Sequence, residues 1–239
     1  MSFYQSISDQ YDAIFPVNAA EMSFVATLLE NKRKILDIGC GTGNKTVHFK
    51  MPGNEITAVD ADTAMIERAR RDNAQPGITY EVMDMRRIGE AFAPGAFDAA
   101  LCLGNTLVHL PDPALINAML CDTSASLDDS GLCVIQILNY DRILDNDVRE
   151  LPLLETDAFR FSRFYKWQGG KMLFVTELFL KDSGETVKNA VPLYPLRKAE
   201  LAASLASAGF TRVAYHGSYD GGPLADDSFV LIAAACKRS

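Results

Sequence analysis

Asp37-Ile38-Gly39-Cys40-Gly41-Thr42-Gly43 sets three glycines at alternate positions directly behind an acidic residue. Without a Cβ, such a run lets backbone approach a ligand closely, and the helix that follows offers free N–H groups to an anionic part of it. Asn44 stands where a dinucleotide-binding fingerprint wants Gly or Ala. Two more acids follow short apolar runs. Asp60 closes Ile56-Thr57-Ala58-Val59, where a carboxylate is able to accept from both hydroxyls of a ribose. Asp84 lies between Met83 and Met85, so it is able to accept from the exocyclic amine of an adenine while flexible thioethers pack on the ring faces. In chain order these three positions suit a methionine-like tail, a ribose and an adenine. Each has a plainer reading: a tight turn, a helix cap, a surface acid, and, for the two methionines, core packing.

Those residues need elements to hold them. Lys34–Ile38 and Ile56–Asp60 read as short buried strands, with a helix near 44–50 between them ended by Pro52-Gly53. Asn18 reads as the N-cap of a helix reaching about Glu30, with Glu21 as its capping-box partner and Val17 stapled against Met22. Asp62 caps a helix that turns Met65, Ile66 and Ala69 to one face and stops at Pro76-Gly77. Strands follow at 78–82, 97–103 and 132–138, with a helix over 113–127. This alternation predicts a Rossmann-like α/β fold, a largely parallel sheet with helices on both faces and its ligand at the carboxyl ends of the strands. After Leu138 the pattern changes. Phe159–Trp167, Met172–Leu180 and Glu185–Leu193 alternate around the turns Gln168-Gly169-Gly170-Lys171 and Asp182-Ser183-Gly184, which predicts a three-strand antiparallel meander. A helix over 197–208 and strands near 211–216 and 229–236 return to the core. Residues 1–143 and 195–239 are thus expected to form the core, and 144–194 an inserted lid.

The composition excludes several classes. At 239 residues, 48% hydrophobic and 23% charged, the chain suits one α/β domain with an insertion. Its longest apolar runs, Leu132–Leu138 and Phe229–Cys236, fall well short of the roughly 18 residues a membrane helix needs. The N-terminus has neither a basic nor an apolar signal region, so a cytoplasmic location without a membrane partner is expected. A net charge of −8 argues against nucleic acid, which needs a basic surface. Five scattered cysteines without a CxxC pair point to reduced thiols and to no metal site.

The set DIGCGTG, AVDAD, VMDM and a strand ending in CLGN resembles the class I S-adenosylmethionine (SAM)-dependent methyltransferases over about the first 140 residues. That resemblance implies a seven-stranded sheet whose last strand is reversed. It also implies SAM as cofactor, S-adenosylhomocysteine as product, and a cofactor site of Tyr11, Asp37, Gly39, Cys40, Gly41, Asp60, Ala61, Met65, Met83, Asp84, Met85, Leu103, Gly104 and His109. Phe97–Asp112, Asn139-Tyr140-Asp141-Arg142-Ile143-Leu144 and the inserted lid are similar to the glycine/sarcosine N-methyltransferase group. There the positions matching Leu103 and His109 contact the cofactor, and those matching Asn105 and Tyr194 face the substrate.

The resemblance therefore implies Asn105, His109 and Tyr194 as catalytic residues and Asn105, Tyr140, Arg163 and Tyr194 as the substrate site. One position departs from the group. Its carboxylate-gripping arginine precedes the Asn-Tyr-Asp run, where this chain has Leu138. An apolar side chain supplies no bidentate fork, which puts glycine in doubt and leaves Arg163 or Arg142 as replacements. His48 and His216 read as structural. Tyr4, Tyr11 and Asp12 precede the first capped helix and are placed to fold over the cofactor. The expected activity is methyl transfer to a small soluble metabolite at nitrogen. O-methylation, a non-catalytic SAM-binding protein and a nicotinamide oxidoreductase are the alternatives, and a monomer or homodimer is expected.

Overall fold

β1 (Lys34–Ile38) has four consecutive buried residues after an exposed first one, as a strand covered on both faces requires. The computed structural model describes residues 10–237. Ahead of β1 lie α1 (Tyr11–Ile14) and α2 (Ala19–Leu28). Behind it follow β2 (Glu55–Asp60), α3 (Thr63–Asp72), β3 (Ile78–Val82), α4 (Ile88–Ala91), β4 (Phe97–Cys102), α5 (Pro113–Ser126), β5 (Leu127–Leu138) and α6 (Tyr140–Asp145). A second group comprises β6 (Glu150–Glu155), β7 (Phe159–Gln168), β8 (Lys171–Leu180) and β9 (Thr186–Leu193). The chain ends with α7 (Lys198–Ser207), β10 (Arg212–His216) and β11 (Val230–Cys236).

The larger sheet has seven strands in the order β10-β11-β5-β4-β1-β2-β3. Neighbouring pairs are parallel except those made by β11, which runs antiparallel to both β5 and β10. The chain winds outward from β1 to β3, then crosses back to β4 on the other side of β1. A crevice opens where the order reverses, at the carboxyl ends of β1 and β4. Alternation along the strands splits the core into two layers. Leu36, Ile38, Cys133, Ile135 and Ile137 pack with Ile116 and Leu120 of α5 and Leu201 of α7. Ile35, Leu132 and Val134 pack with Met22 and Val25 of α2 and Leu29 just behind it.

Several local expectations need correction. The predicted three-strand meander is a four-stranded antiparallel sheet, β6-β7-β8-β9. Glu150–Glu155 escaped notice because Pro152 breaks the strand pattern, and the register shifts between Leu151 and Leu154, as suits an edge strand. The helix expected over 44–50 is a single 3-10 turn, Thr46–Phe49, a segment headed by the β-branched pair Thr46 and Val47. Asn18 does cap α2, accepting from Ala20 and Glu21 N–H, but Glu21 closes no capping box. Its buried carboxylate pairs instead with Lys45 Nζ at 2.8 Å.

Phe161 of β7 is fully buried and meets Phe15 edge-on, with ring centroids 6.0 Å apart. Ile14, Phe159 and Leu178 complete that cluster, which joins the second sheet to α1. Phe161→Ala is predicted to destabilise the fold by about 3–5 kcal/mol. Urea denaturation measures this, and a loss below about 1 kcal/mol would show that the cluster does not hold the second sheet in place.

Candidate active site

The glycine loop leaves β1 with Gly39 and Cys40 N–H both donating to Val59 O, at 2.7 and 3.1 Å. Gly39 has φ +73°, and a Cβ there would lie 2.3 Å from Thr106 Cγ2. Gly41 has φ +57°, and a Cβ there would lie 3.2 Å from Tyr11 Oη. Gly39 therefore excludes a side chain by backbone conformation and by space, and Gly41 by its backbone conformation, with Tyr11 packed tightly beside it. Tyr11 thus lies across the loop, and its neighbour Asp12 ties it down. Thr42 Oγ1 donates to Asp12 Oδ1 at 2.6 Å, and Arg68 of α3 donates to Oδ2 at 2.8 Å. Tyr4 lies outside the described residues.

Asp37 is buried beneath the loop and accepts from Thr46 Oγ1 at 2.6 Å. Its carboxylate therefore shapes the loop from below. Burial raises its pKa to about 6 against the opposing pull of that hydrogen bond and of Lys45. Asp60 stands on the open side. Its Oδ2 accepts from Gly41 N–H at 2.9 Å and its Oδ1 from Asp62 N–H at 2.9 Å. Burial raises its pKa as well, while the two N–H donors pull it down. Each oxygen keeps a second lone pair for another donor. Ala61 beside it is exposed, whereas Met65 is fully enclosed, its side chain committed to packing.

Asp84 differs from expectation. It caps the following turn through Arg86 N–H at 2.9 Å and forms a two-oxygen ion pair with the Arg86 guanidinium. The hydrogen bonds from Arg86 hold its pKa below the usual carboxylate range. It presents no free carboxylate, because a basic residue two positions on claims both oxygens. Met83 and Met85 are partly buried against the larger core cluster, in line with their plainer reading.

At the end of β4, Leu103 is buried, and Gly104 and Asn105 both adopt left-handed backbone, at φ +69° and +67°. Asn105 is not free to orient an amine in the way expected of it. Its Oδ1 accepts from Leu138 N–H at 3.0 Å and its Nδ2 donates to Tyr140 Oη at 3.0 Å. Asn105 and Tyr140 are brought together, as each other's partners. Gln136 completes the clamp, with Gly104 N–H donating to its Oε1 at 2.7 Å and Asn105 N–H to its backbone oxygen at 3.1 Å. Gln136 went unnoticed, although a lone polar residue inside Cys133-Val134-Ile135-Gln136-Ile137-Leu138 was a visible signal.

His109 ends the 3-10 turn Leu107–His109, and burial alone lowers its pKa to about 4. Tyr194 reaches the same turn through its N–H, which donates to Val108 O at 2.8 Å. Its hydroxyl, expected to face an amine, donates to Glu200 of α7, and partial burial together with that carboxylate raises its pKa to about 12. Arg142 stacks over Phe229, 5.7 Å from the ring centroid. Arg163 lies on β7 with its Nη2 donating to Pro152 O at 2.6 Å. Among the described residues no cluster of acidic, His and Cys groups is arranged to hold a metal, and no helix is long and apolar enough to cross a membrane.

A methyltransferase domain model matches residues 35–131, from β1 into the start of β5. The seven-stranded sheet with its reversed β11 gives that segment the class I methyltransferase fold. The chain carries a methyltransferase domain over those residues. It is 29% identical over 150 residues to a glycine/sarcosine N-methyltransferase of Parasynechococcus marenigrum, covering 60% of this chain and 53% of that protein. It is 32% identical over 126 residues to the glycine N-methyltransferase of Oryctolagus cuniculus, covering 47% of this chain and 43% of that protein. The chain thus spans about half the length of these two curated relatives. Among solved structures, the CcbJ methyltransferase of Streptomyces caelestis superposes with a TM-score of 0.82 at 18% identity, covering 98% of this chain and 96% of that one.

The buried Asp37 makes a pH prediction. Its folded pKa near 6 lies above its unfolded value of 3.8, so the folded state holds this proton more tightly. Its contribution favours folding at low pH, declines as pH rises between those two values, and is flat above them. Asp37→Asn keeps an acceptor for Thr46 and abolishes the titration. The stability of wild type minus that of the variant, from urea unfolding at pH 4 to 7, should fall with rising pH and level off above about 6. A difference independent of pH would show that Asp37 titrates normally.

Proposed function

We propose that this chain transfers a methyl group from SAM to a nitrogen atom of a small soluble metabolite, leaving S-adenosylhomocysteine. The observation that carries the reading is the pairing of Gly41 N–H with the Asp60 carboxylate at the carboxyl ends of β1 and β2. The residues there fit the cofactor. Gly39 and Gly41 give the loop the left-handed backbone that turns the Gly41 N–H to Asp60, and the Asp60 oxygens retain lone pairs for ribose hydroxyls. Gly39, Cys40, Gly41, Asp60, Ala61, Leu103 and Gly104 would hold it, with Tyr11 closing over the loop. When bound, SAM supplies a methyl group on a sulfonium with a neutral leaving group.

The protein's own contribution is alignment of the acceptor with that methyl group. The second sheet is placed to act as the lid that excludes water. It is anchored to α1 by Phe161 and to the Leu107–His109 turn by Tyr194. Nitrogen as the accepting atom is supported by the names of the relatives, which are N-methyltransferases. A net charge of −8 disfavours a polyanionic acceptor and suits a small one.

Titration calorimetry with S-adenosylhomocysteine tests the cofactor half of the reading. Binding is expected, and Asp60→Ala should weaken it by about 1–3 kcal/mol through loss of charge-assisted hydrogen bonds. An unchanged affinity would remove Asp60 from the site, and the absence of binding to folded, ligand-free protein would remove the function. Methyl-labelled SAM with a soluble metabolite extract tests the transfer half.

A further inference from the structure

Gln136 of β5 is 5% exposed, and its Oε1 accepts from Gly104 N–H at 2.7 Å. That bond fixes which way the carboxamide lies, because an N–H demands the oxygen. The amide nitrogen then stands on the other side, and it has no hydrogen-bond partner among the described residues. Native interiors rarely leave such a group unpaired. Nor is the nitrogen sealed: the enclosed side-chain atoms that lack a partner among the described residues lie elsewhere. Two N–H bonds of an otherwise buried side chain therefore reach open space.

That space is at the carboxyl end of β4. Gly104 is exposed, and nothing lies within 4 Å of where a Cβ on it would stand. Asn105 beside it spends its oxygen on Leu138 N–H and its nitrogen on Tyr140. Gln136, by contrast, has spent only its oxygen.

Strand order decides which molecule meets it. The sheet runs β5-β4-β1-β2, and the cofactor positions Gly39, Gly41 and Asp60 stand behind β1 and β2, with Gly104 behind β4. Gln136 comes from β5, the strand beyond Gly104 on the side away from Asp60. A group that takes its N–H bonds thus belongs to the methyl acceptor.

The surroundings are apolar. Alternation puts Gln136 on the face of Leu132, Val134 and Leu138, directly opposite Ile232 of β11, and Leu103, Leu138 and Ile232 pack in one cluster there. A carboxylate taken out of water among them would meet a neutral donor in place of a cation, and one hydrogen bond does not repay that desolvation. An uncharged oxygen, a hydroxyl or a carbonyl, is matched by such a donor.

We infer that the side-chain amide of Gln136 donates to an uncharged oxygen of the methyl acceptor, a hydroxyl or a carbonyl near the accepting nitrogen. This rests on the proposed function and narrows its substrate class to small amines that carry such an oxygen. Gln136 is then a specificity-determining residue, which fixes Gly104 with its oxygen and reads the acceptor with its nitrogen.

The whole protein is incubated with methyl-labelled SAM and a soluble metabolite extract, and the labelled product is identified by mass spectrometry. It should carry a hydroxyl or carbonyl oxygen besides the methylated nitrogen. Wild type should lose about tenfold or more in kcat/KM on the analogue of that acceptor lacking the oxygen. Gln136→Glu keeps an oxygen for Gly104 N–H, but once ionised it has no hydrogen to donate. Its acceptor KM relative to wild type should climb between about pH 6 and 9 to about tenfold or more, with affinity for S-adenosylhomocysteine unchanged. A role confined to holding Gly104 leaves that ratio flat. A ratio near one throughout, lost affinity for S-adenosylhomocysteine in its place, equal kcat/KM with the analogue, or a product whose only oxygens are those of a carboxylate would overturn the inference and leave the methyltransferase reading standing. If Gln136→Glu does not fold, the analogue decides. No labelled product from protein that binds S-adenosylhomocysteine would overturn both.

Discussion

The Asp60 carboxylate binds three pieces of chain into one edge. It closes β2, accepts from Gly41 in the loop behind β1, and accepts from Asp62 at the start of α3. Gly41 can offer its N–H there because the loop turns through left-handed backbone at Gly39 and Gly41. That conformation brings Gly39 so close to Thr106 that no side chain fits between, and packs Gly41 tightly under Tyr11. Asp12 then fastens α1 over the loop, and α1 carries the apolar surface on which the second sheet rests. One short pair of hydrogen bonds thus sets the position of the loop, of the segment above it and of the sheet beyond.

The Asn105 clamp does the same work across the crevice. Left-handed backbone at a non-glycine residue is strained and persists only where its surroundings hold it. Here Gln136, Leu138 and Tyr140 all bond to Gly104 or Asn105, so β4 and β5 end in a fixed relation. Tyr140 opens α6, and α6 leads directly into the second sheet. The two sides of the crevice therefore reach the same inserted sheet by different routes, one through α1 and one through α6.

The core was legible because its signals are local. Apolar runs of five or six residues, Asn18 and Asp62 before helices, and glycines behind β1 each declare their conformation within a few positions. The second sheet was legible in its three long strands and not in β6, where Pro152 and a register shift erase the alternation. Site residues divided along the same line. Gly39 and Gly41 were readable because left-handed backbone demands glycine there. The side chains of Asn105 and Asp84 are claimed by Leu138 and Tyr140 and by Arg86, while the Tyr194 hydroxyl gives its proton to Glu200 and keeps its lone pairs. Arg86 and Glu200 stand within six residues of their partners, whereas Leu138 and Tyr140 reach Asn105 through tertiary packing that no local pattern encodes.

The claimed side chains also bear on the chemistry. His109 with a pKa near 4 is neutral at physiological pH and a weak base, while Tyr194, raised to about 12, keeps its proton. Neither is poised for general acid–base work, whose best pKa lies near the working pH. A reaction that needed a strong base would be badly served by these two residues. Displacement at a sulfonium methyl by a neutral amine needs none, because the nucleophile brings its own lone pair and the leaving group departs uncharged. The demand then falls on position, and position is what a doubly anchored sheet over a rigid glycine loop supplies.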